Sequence, residues 1–259
     1  MIKVYSKHPL YEISGVLFFS KENNFENEYL SLRIKEERVY TDDVIKILPD
    51  INKNYKHYFE WQIRKKSSDN FINYLNKKFT NEIKILEIGC GNGWLINKIA
   101  QSNLSLKCIG LDINKYELIQ ARKNFENDRI DFCYGNIFDD IFIEKSFDVI
   151  LIASSIQYFK DINLLFDKLF LLLNTSGEIH IIDSPLYKIS ELEVARLKSQ
   201  KYYKSIGFEG MSELYFHHSI NEFENYNLEM IYNPNIIFNK ISSKFLKDKT
   251  PFPWIKFKK

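Results

Sequence analysis

Ile85-Leu86-Glu87-Ile88-Gly89-Cys90-Gly91-Asn92-Gly93 is a short apolar run that breaks into three alternating glycines. A run of this length bounded by glycine reads as a buried strand. Directly after it, Trp94, Leu95, Ile96 and Ile99 fall at helical spacing. The stretch is therefore a strand, a tight turn and a helix. Glycine at the turn permits positive φ and lets a ligand approach the backbone, and the helix start offers unpaired N–H groups.

Outward from this turn the chain alternates strand and helix. Leu106–Asp112, Ile130–Tyr134, Phe147–Ile152 and Glu178–Asp183 read as further strands, with helices at Lys115–Phe125 and Ile162–Leu173 between them. Parallel strands need crossovers of this length, so the fold class is α/β, a Rossmann-like and mostly parallel sheet with helices on both faces. A helix is also expected at Tyr58–Lys78, before the first of these strands. Residues 1–50, which end at Leu48-Pro49-Asp50, read as a small N-terminal appendage, and residues 51–259 as the main domain. After Pro185 the pattern weakens: a helix is expected near Ser190–Lys204 and strand-like pieces at Leu214–His218 and Asn235–Phe238. Pro251-Phe252-Pro253-Trp254-Ile255 reads as too proline-rich for regular structure.

Two carboxylates narrow the choice of ligand. Gly89, Gly91 and Gly93 depart from the G-x-G-x-x-G dinucleotide spacing, and Glu87 lies two residues before the first of them. A carboxylate there repels a pyrophosphate and suits an amino-bearing ligand. Asp112 ends the second strand, where it can accept ribose hydroxyls; the competing reading is a helix-capping aspartate.

With these residues, roughly Glu82 to Asp183 resembles a class I S-adenosylmethionine-dependent methyltransferase. The resemblance implies a seven-stranded sheet, a cofactor-binding half at 82–183 and substrate-side segments at 185–259. It implies that S-adenosylmethionine packs its methionine moiety on Gly89, Cys90, Gly91 and Asn92, with Gly93 also among the cofactor-binding residues and Glu87 organising the amino end. Asp112 is implied to hold the ribose and Ile113 to face adenine. Gly135-Asn136-Ile137 stands where the family places an acidic residue and a small or apolar one, so Asn136 is the candidate partner of the adenine amino group. Ala153 is implied to line the cofactor, and Tyr158 to face the substrate. Arg64, on the helix before the first strand, is either a partner of the methionine carboxylate or a solvated arginine.

Methyl transfer from a sulfonium needs alignment and exclusion of water more than a catalytic triad. For a hydroxyl acceptor a base is wanted, and His217 and His218 are the candidates, against the reading that each is a packed strand histidine. Tyr158, Tyr187, Tyr202 and Tyr203 are candidates for the acceptor wall, although among 16 tyrosines most serve packing. Asp183 reads as a loop cap rather than a base. The expected reaction is transfer to an oxygen or nitrogen of a small molecule. Alternatives are a protein or RNA acceptor, a cofactor-binding partner protein without catalysis, and a nicotinamide oxidoreductase.

Composition excludes other classes. With 45% hydrophobic and 27% charged residues in 259, disorder is excluded. A formal net charge of +2 from 36 basic and 34 acidic residues gives no strong nucleic-acid or membrane signal, leaving only the Ile255–Lys259 tail as a basic patch. Cys90, Cys108 and Cys133 lack metal-ligand or CxxC spacing, so no metal is expected and structural thiols fit them. No leader or membrane span is read in the chain, and a cytoplasmic protein is expected.

Overall fold

The computed structural model describes residues 6–22, 25–103, 105–235 and 250–259. A central sheet is built around the strands read from the sequence: β3 (Ile83–Ile88), β4 (Leu106–Asp112), β5 (Ile130–Tyr134), β6 (Phe147–Ala153) and β7 (Leu173–Ile182). Before them stand β1 (Tyr11–Ile13) and β2 (Val16–Phe18); after them stand β8 (Leu228–Tyr232) and β9 (Trp254–Lys258). The order is β1-β2-β5-β4-β3-β6-β7-β9-β8, parallel from β2 through β7 and antiparallel at both margins. The sheet thus has nine strands, two more than the expected seven.

The two extra strands come from the N-terminal region. Ser14 and Gly15, with φ of +51° and +78°, form a two-residue turn, and β2 pairs in parallel with β5. Val16, Phe18, Val44, Ile45, Leu48 and Ile51 join the same core cluster as Ile85 and Val149. The described residues among the first fifty are therefore continuous with the sheet and its core.

Alternation along the strands divides the core in two. Ile85, Cys108, Phe132 and Val149 face α3 (Tyr58–Lys78), α4 (Trp94–Ser102) and α5 (Lys115–Asn124). Leu86, Ile109, Cys133 and Ile150 face the opposite way, onto α6 (Ile162–Leu172) and Phe257. The two remaining major helices lie over one end of the sheet. They are α1 (Phe25–Lys35) and α7 (Leu192–Ile206), which share a small third core of Leu32, Tyr203 and Met211. A short helix α2 (Asp42–Ile47) precedes α3.

Three local readings change. Leu214–His218 is not a strand: a 3-10 turn at Glu209–Glu213 leads into loop, because the segment follows the cap helices rather than a sheet edge. Pro251 and Pro253 fall just before β9, so Trp254–Lys258 keeps its N–H groups and pairs with β7 and β8. The basic tail is no free patch, since Lys256 is buried in ion pairs with Glu178 and Glu229 and Lys259 donates to the carbonyls of Phe170 and Leu173. Of Asn235–Phe238, residues 236–238 lie outside the described residues. The three cysteines are buried and free. No helix among the described residues is long and apolar enough to cross a membrane.

Candidate functional site

Strand order reverses at β3, which has β4 on one side and β6 on the other, and ligands bind at such a point beyond the carboxyl ends of the strands. A cavity of about 1180 Å³ lies there, floored by the glycine turn and roofed by α1 and α7. Gly89, Gly91 and Gly93 hold φ of +74°, +53° and +74°. A side chain at Gly89 would place its Cβ 2.6 Å from that of Ser155, so no substituent fits. Gly93 does not line the cavity: it caps α4 and packs on Phe132 and Ala121.

Asp112 joins the turn to the next helix. Its Oδ2 accepts from Gly91 N at 2.7 Å and its Oδ1 from Asn114 N at 2.8 Å. The α5 cap is Asn114, whose Oδ1 accepts from Glu117 N, so Asp112 is left facing the cavity. Burial pushes its carboxyl up, against the backbone hydrogen bonds from Gly91 and Asn114 that pull it down. Glu87 is only 2% exposed, and its Oε2 accepts no hydrogen bond among the described residues. Burial, then the charge of Asp112, raise it well above the carboxylate range. A buried carboxylate oxygen without a donor, beside glycines that admit a ligand to the backbone, fits the amino group of a methionine moiety.

The remaining candidates divide. Cys90, Asn92, Ile113, Asn136, Ile137 and Ala153 all line the cavity, as do Tyr158, Tyr202 and Tyr203. Asn136 is exposed, and its Oδ1 already accepts from Phe138 N at 3.1 Å. Arg64 lines the cavity too, paired with Glu60 at 3.0 Å and stacked over Trp61 at 5.1 Å. Asp183 stands at the mouth of β7 with φ of +52°, accepting from Ser67 Oγ at 2.5 Å, and burial pushes it up to about 6. Tyr187 packs on His217 outside the cavity lining.

Neither histidine lines the cavity. His217 is 7% exposed and shares a 2.9 Å hydrogen bond with Ser199 Oγ; His218 is 3% exposed and bonds Glu222. Burial, with Arg196 and His218 nearby, lowers His217 and keeps it neutral. Ser199 does line the cavity, so His217 meets it only through that hydroxyl.

Two groups that the sequence reading did not single out sit inside. Arg33 projects from α1, its guanidinium 5.8 Å from the Tyr29 ring centroid and its buried Nε without a hydrogen-bond partner among the described residues. Burial alone would lower it, but Tyr29, Glu117, Tyr158 and Glu36 outweigh that and hold it charged. Glu117 stands opposite on α5, buried, and is pushed up to about 7 by burial. The roof is latched beside them, because Glu26 of α1 accepts from Lys115 N at 2.6 Å at the start of α5.

A Rossmann-like sheet with a glycine turn, a buried glutamate with one unpartnered oxygen among the described residues and a strand-end aspartate around one cavity is the arrangement of a class I S-adenosylmethionine-dependent methyltransferase. Residues 79–244 match the family model described as methyltransferase domain, and the chain belongs to that family. It is 29% identical over 128 residues to the malonyl-[acyl-carrier protein] O-methyltransferase of Priestia megaterium, covering 49% of this chain and 46% of that protein. The chain thus spans about half the length of the curated relatives it matches. Among solved structures, the plantazolicin methyltransferase bound to a substrate analogue and S-adenosylhomocysteine superimposes with a TM-score of 0.56 at 17% identity, over 90% of this chain and 93% of that one. Geranyl diphosphate C-methyltransferase of Streptomyces coelicolor A3(2), also bound to S-adenosylhomocysteine, gives 0.52 at 13% identity, over 80% and 86%. These structural likenesses are of fold. Membership of that family makes residues 79–244 a methyltransferase domain.

Proposed function

We propose that the enzyme methylates a carboxylate oxygen of a small acyl acceptor held in the cavity, giving a methyl ester. The carrying observation is Arg33, a charged guanidinium in the roof whose Nε has no hydrogen-bond partner among the described residues. A buried guanidinium N–H without an acceptor is costly unless a ligand meets it, and a planar carboxylate matches the guanidinium fork. The curated relatives are malonyl-[acyl-carrier protein] O-methyltransferases, which supports the same acceptor class.

In this reading Glu87 holds the amino end of the cofactor, Arg64 its carboxylate, and Asp112 its ribose, with Gly89 and Gly91 leaving room for the chain between. S-adenosylmethionine supplies the methyl group. Arg33 and the tyrosines of the roof orient the acceptor and exclude water. The carboxylate oxygen forms a bond to the methyl carbon as the carbon–sulfur bond breaks, its electron pair passing to sulfur. No proton is released, so no base is needed, and histidines that do not line the cavity are consistent with this.

A second reading, transfer to a hydroxyl, is favoured by Ser199, whose Oγ both lines the cavity and meets His217. Incubation with methyl-labelled S-adenosylmethionine and short dicarboxylic, acyl and hydroxylated acceptors separates the two. A methyl ester releases volatile labelled methanol in mild alkali. Label that stays non-volatile marks an ether or amine product and overturns the carboxylate reading.

A further inference from the structure

Glu117 is the third residue of α5, and with Asn114 at the cap it forms an N-x-x-E start to the helix. In a reciprocal capping box the glutamate would accept from the backbone N–H of the cap residue. Here that N–H is already given to Asp112 Oδ1 at 2.8 Å. The Glu117 carboxylate is therefore released from the box. Its Oε2 accepts only from Asn114 Nδ2 at 3.1 Å, and Oε1 has no hydrogen bond among the described residues. It stands over the glycine turn, since a Cβ built on Gly91 would lie 3.4 Å from Oε2, and the residue lines the cofactor cavity while only 9% exposed.

Asp112, which faces the same space, is already engaged by the scaffold: each of its oxygens accepts one backbone N–H. Two carboxylates facing one space repel, and burial together with Asp112 pushes Glu117 up to about 7 although Arg33 and Arg64 pull it down. A vicinal diol is a ligand that relieves this arrangement. It brings two O–H donors, spaced for two acceptors, and no negative charge.

We propose that Glu117 is a second ribose-binding carboxylate, so that the two ribose hydroxyls of the cofactor are divided between Asp112 and Glu117. The division distinguishes this site from one in which a single strand-end carboxylate takes both hydroxyls.

The test is equilibrium binding of S-adenosylhomocysteine and of its 2′-deoxy and 3′-deoxy analogues to the wild-type enzyme and to Glu117→Gln, followed by tryptophan fluorescence. Glutamine keeps the helix start and the shape of the side chain, and a matching thermal melt shows that the variant is folded. The expected result is that Glu117→Gln binds S-adenosylhomocysteine about tenfold or more weakly, as for one hydrogen bond to a charged group. That loss should vanish with one deoxy analogue and persist with the other, a coupling that a merely structural role would not produce. Equal weakening of all three ligands, or unchanged binding of all three, overturns the proposal. Failure of the wild-type enzyme to bind S-adenosylhomocysteine at all would count against the cofactor site as a whole.

Discussion

Replacing Glu117 by glutamine also changes the ligand-free protein, in a direction opposite to its effect on binding. The carboxyl moves from an ordinary value of 4.5 to about 7 in the fold, chiefly through burial. Asp112 from β4 pushes the same way, while Arg33 from α1 and Arg64 from α3 oppose it, and Asn114 donates to it. A group whose value is raised on folding binds its proton more tightly when folded. Its stabilising contribution is full below about pH 4.5 and is lost as pH rises through about 7. Integrated from pH 5 to pH 8, that loss is about 2.5 kcal/mol, which Glu117→Gln does not suffer. Urea unfolding of both proteins without ligand, at the two pH values, measures it. The stability of the variant relative to the parent should rise by about 2.5 kcal/mol between them. A gap of the same size at both pH values would refute the reasoning, because it would mean that Glu117 is solvated rather than enclosed with Asp112.

Other perturbations follow from single contacts. Arg33→Met should raise KM for a carboxylate acceptor about tenfold or more in steady-state kinetics while leaving S-adenosylhomocysteine affinity much less changed. Gly89→Ala forces a side chain at φ of +74° into Ser155, so urea unfolding should show a loss of about 2 kcal/mol or more and titration should show no cofactor binding. Glu178→Gln removes the buried partner of Lys78 and Lys256, and should lower stability by about 3 kcal/mol without altering cofactor affinity, since that cluster sits on the β7–β9 side of the sheet away from the cavity. His217→Phe should leave kcat for a carboxylate acceptor within a few-fold of the parent; a hundredfold loss would instead favour the relay through Ser199.

The parallel heart of the fold was legible because β3 to β6 are buried on both faces, and such strands must be written as unbroken apolar runs separated by helices. The margins were not. Tyr11–Ile13 and Val16–Phe18 are three-residue strands whose signal is the Ser14-Gly15 turn, too short to stand out by periodicity, and β9 was hidden behind two prolines that in fact precede it. At the site, Asp112 and Glu87 could be placed because strand ends fix where their side chains emerge. Arg33 and Glu117 carried no such marker: α1 has almost no amphipathic face to announce it, and Glu117 reads as an ordinary capping residue until Asp112 is seen to occupy its partner. The adjacent His217 and His218 drew attention as a sequence feature, yet the loop that carries them turns both rings away from the cavity lining. Which residues face inward from the cap depends on packing between α1 and α7, and that packing joins segments far apart in the chain.

Asp112 stands in the cofactor cavity, held between Gly91 and Asn114, and titration calorimetry of S-adenosylhomocysteine against the wild-type enzyme and Asp112→Ala tests its role most directly. Loss of a charge-assisted ribose contact and of the brace on the glycine turn predicts affinity about a hundredfold weaker in the variant, with the fold retained. Equal affinity in the two proteins would contradict the placement of the cofactor and with it the reaction proposed for the cavity above it.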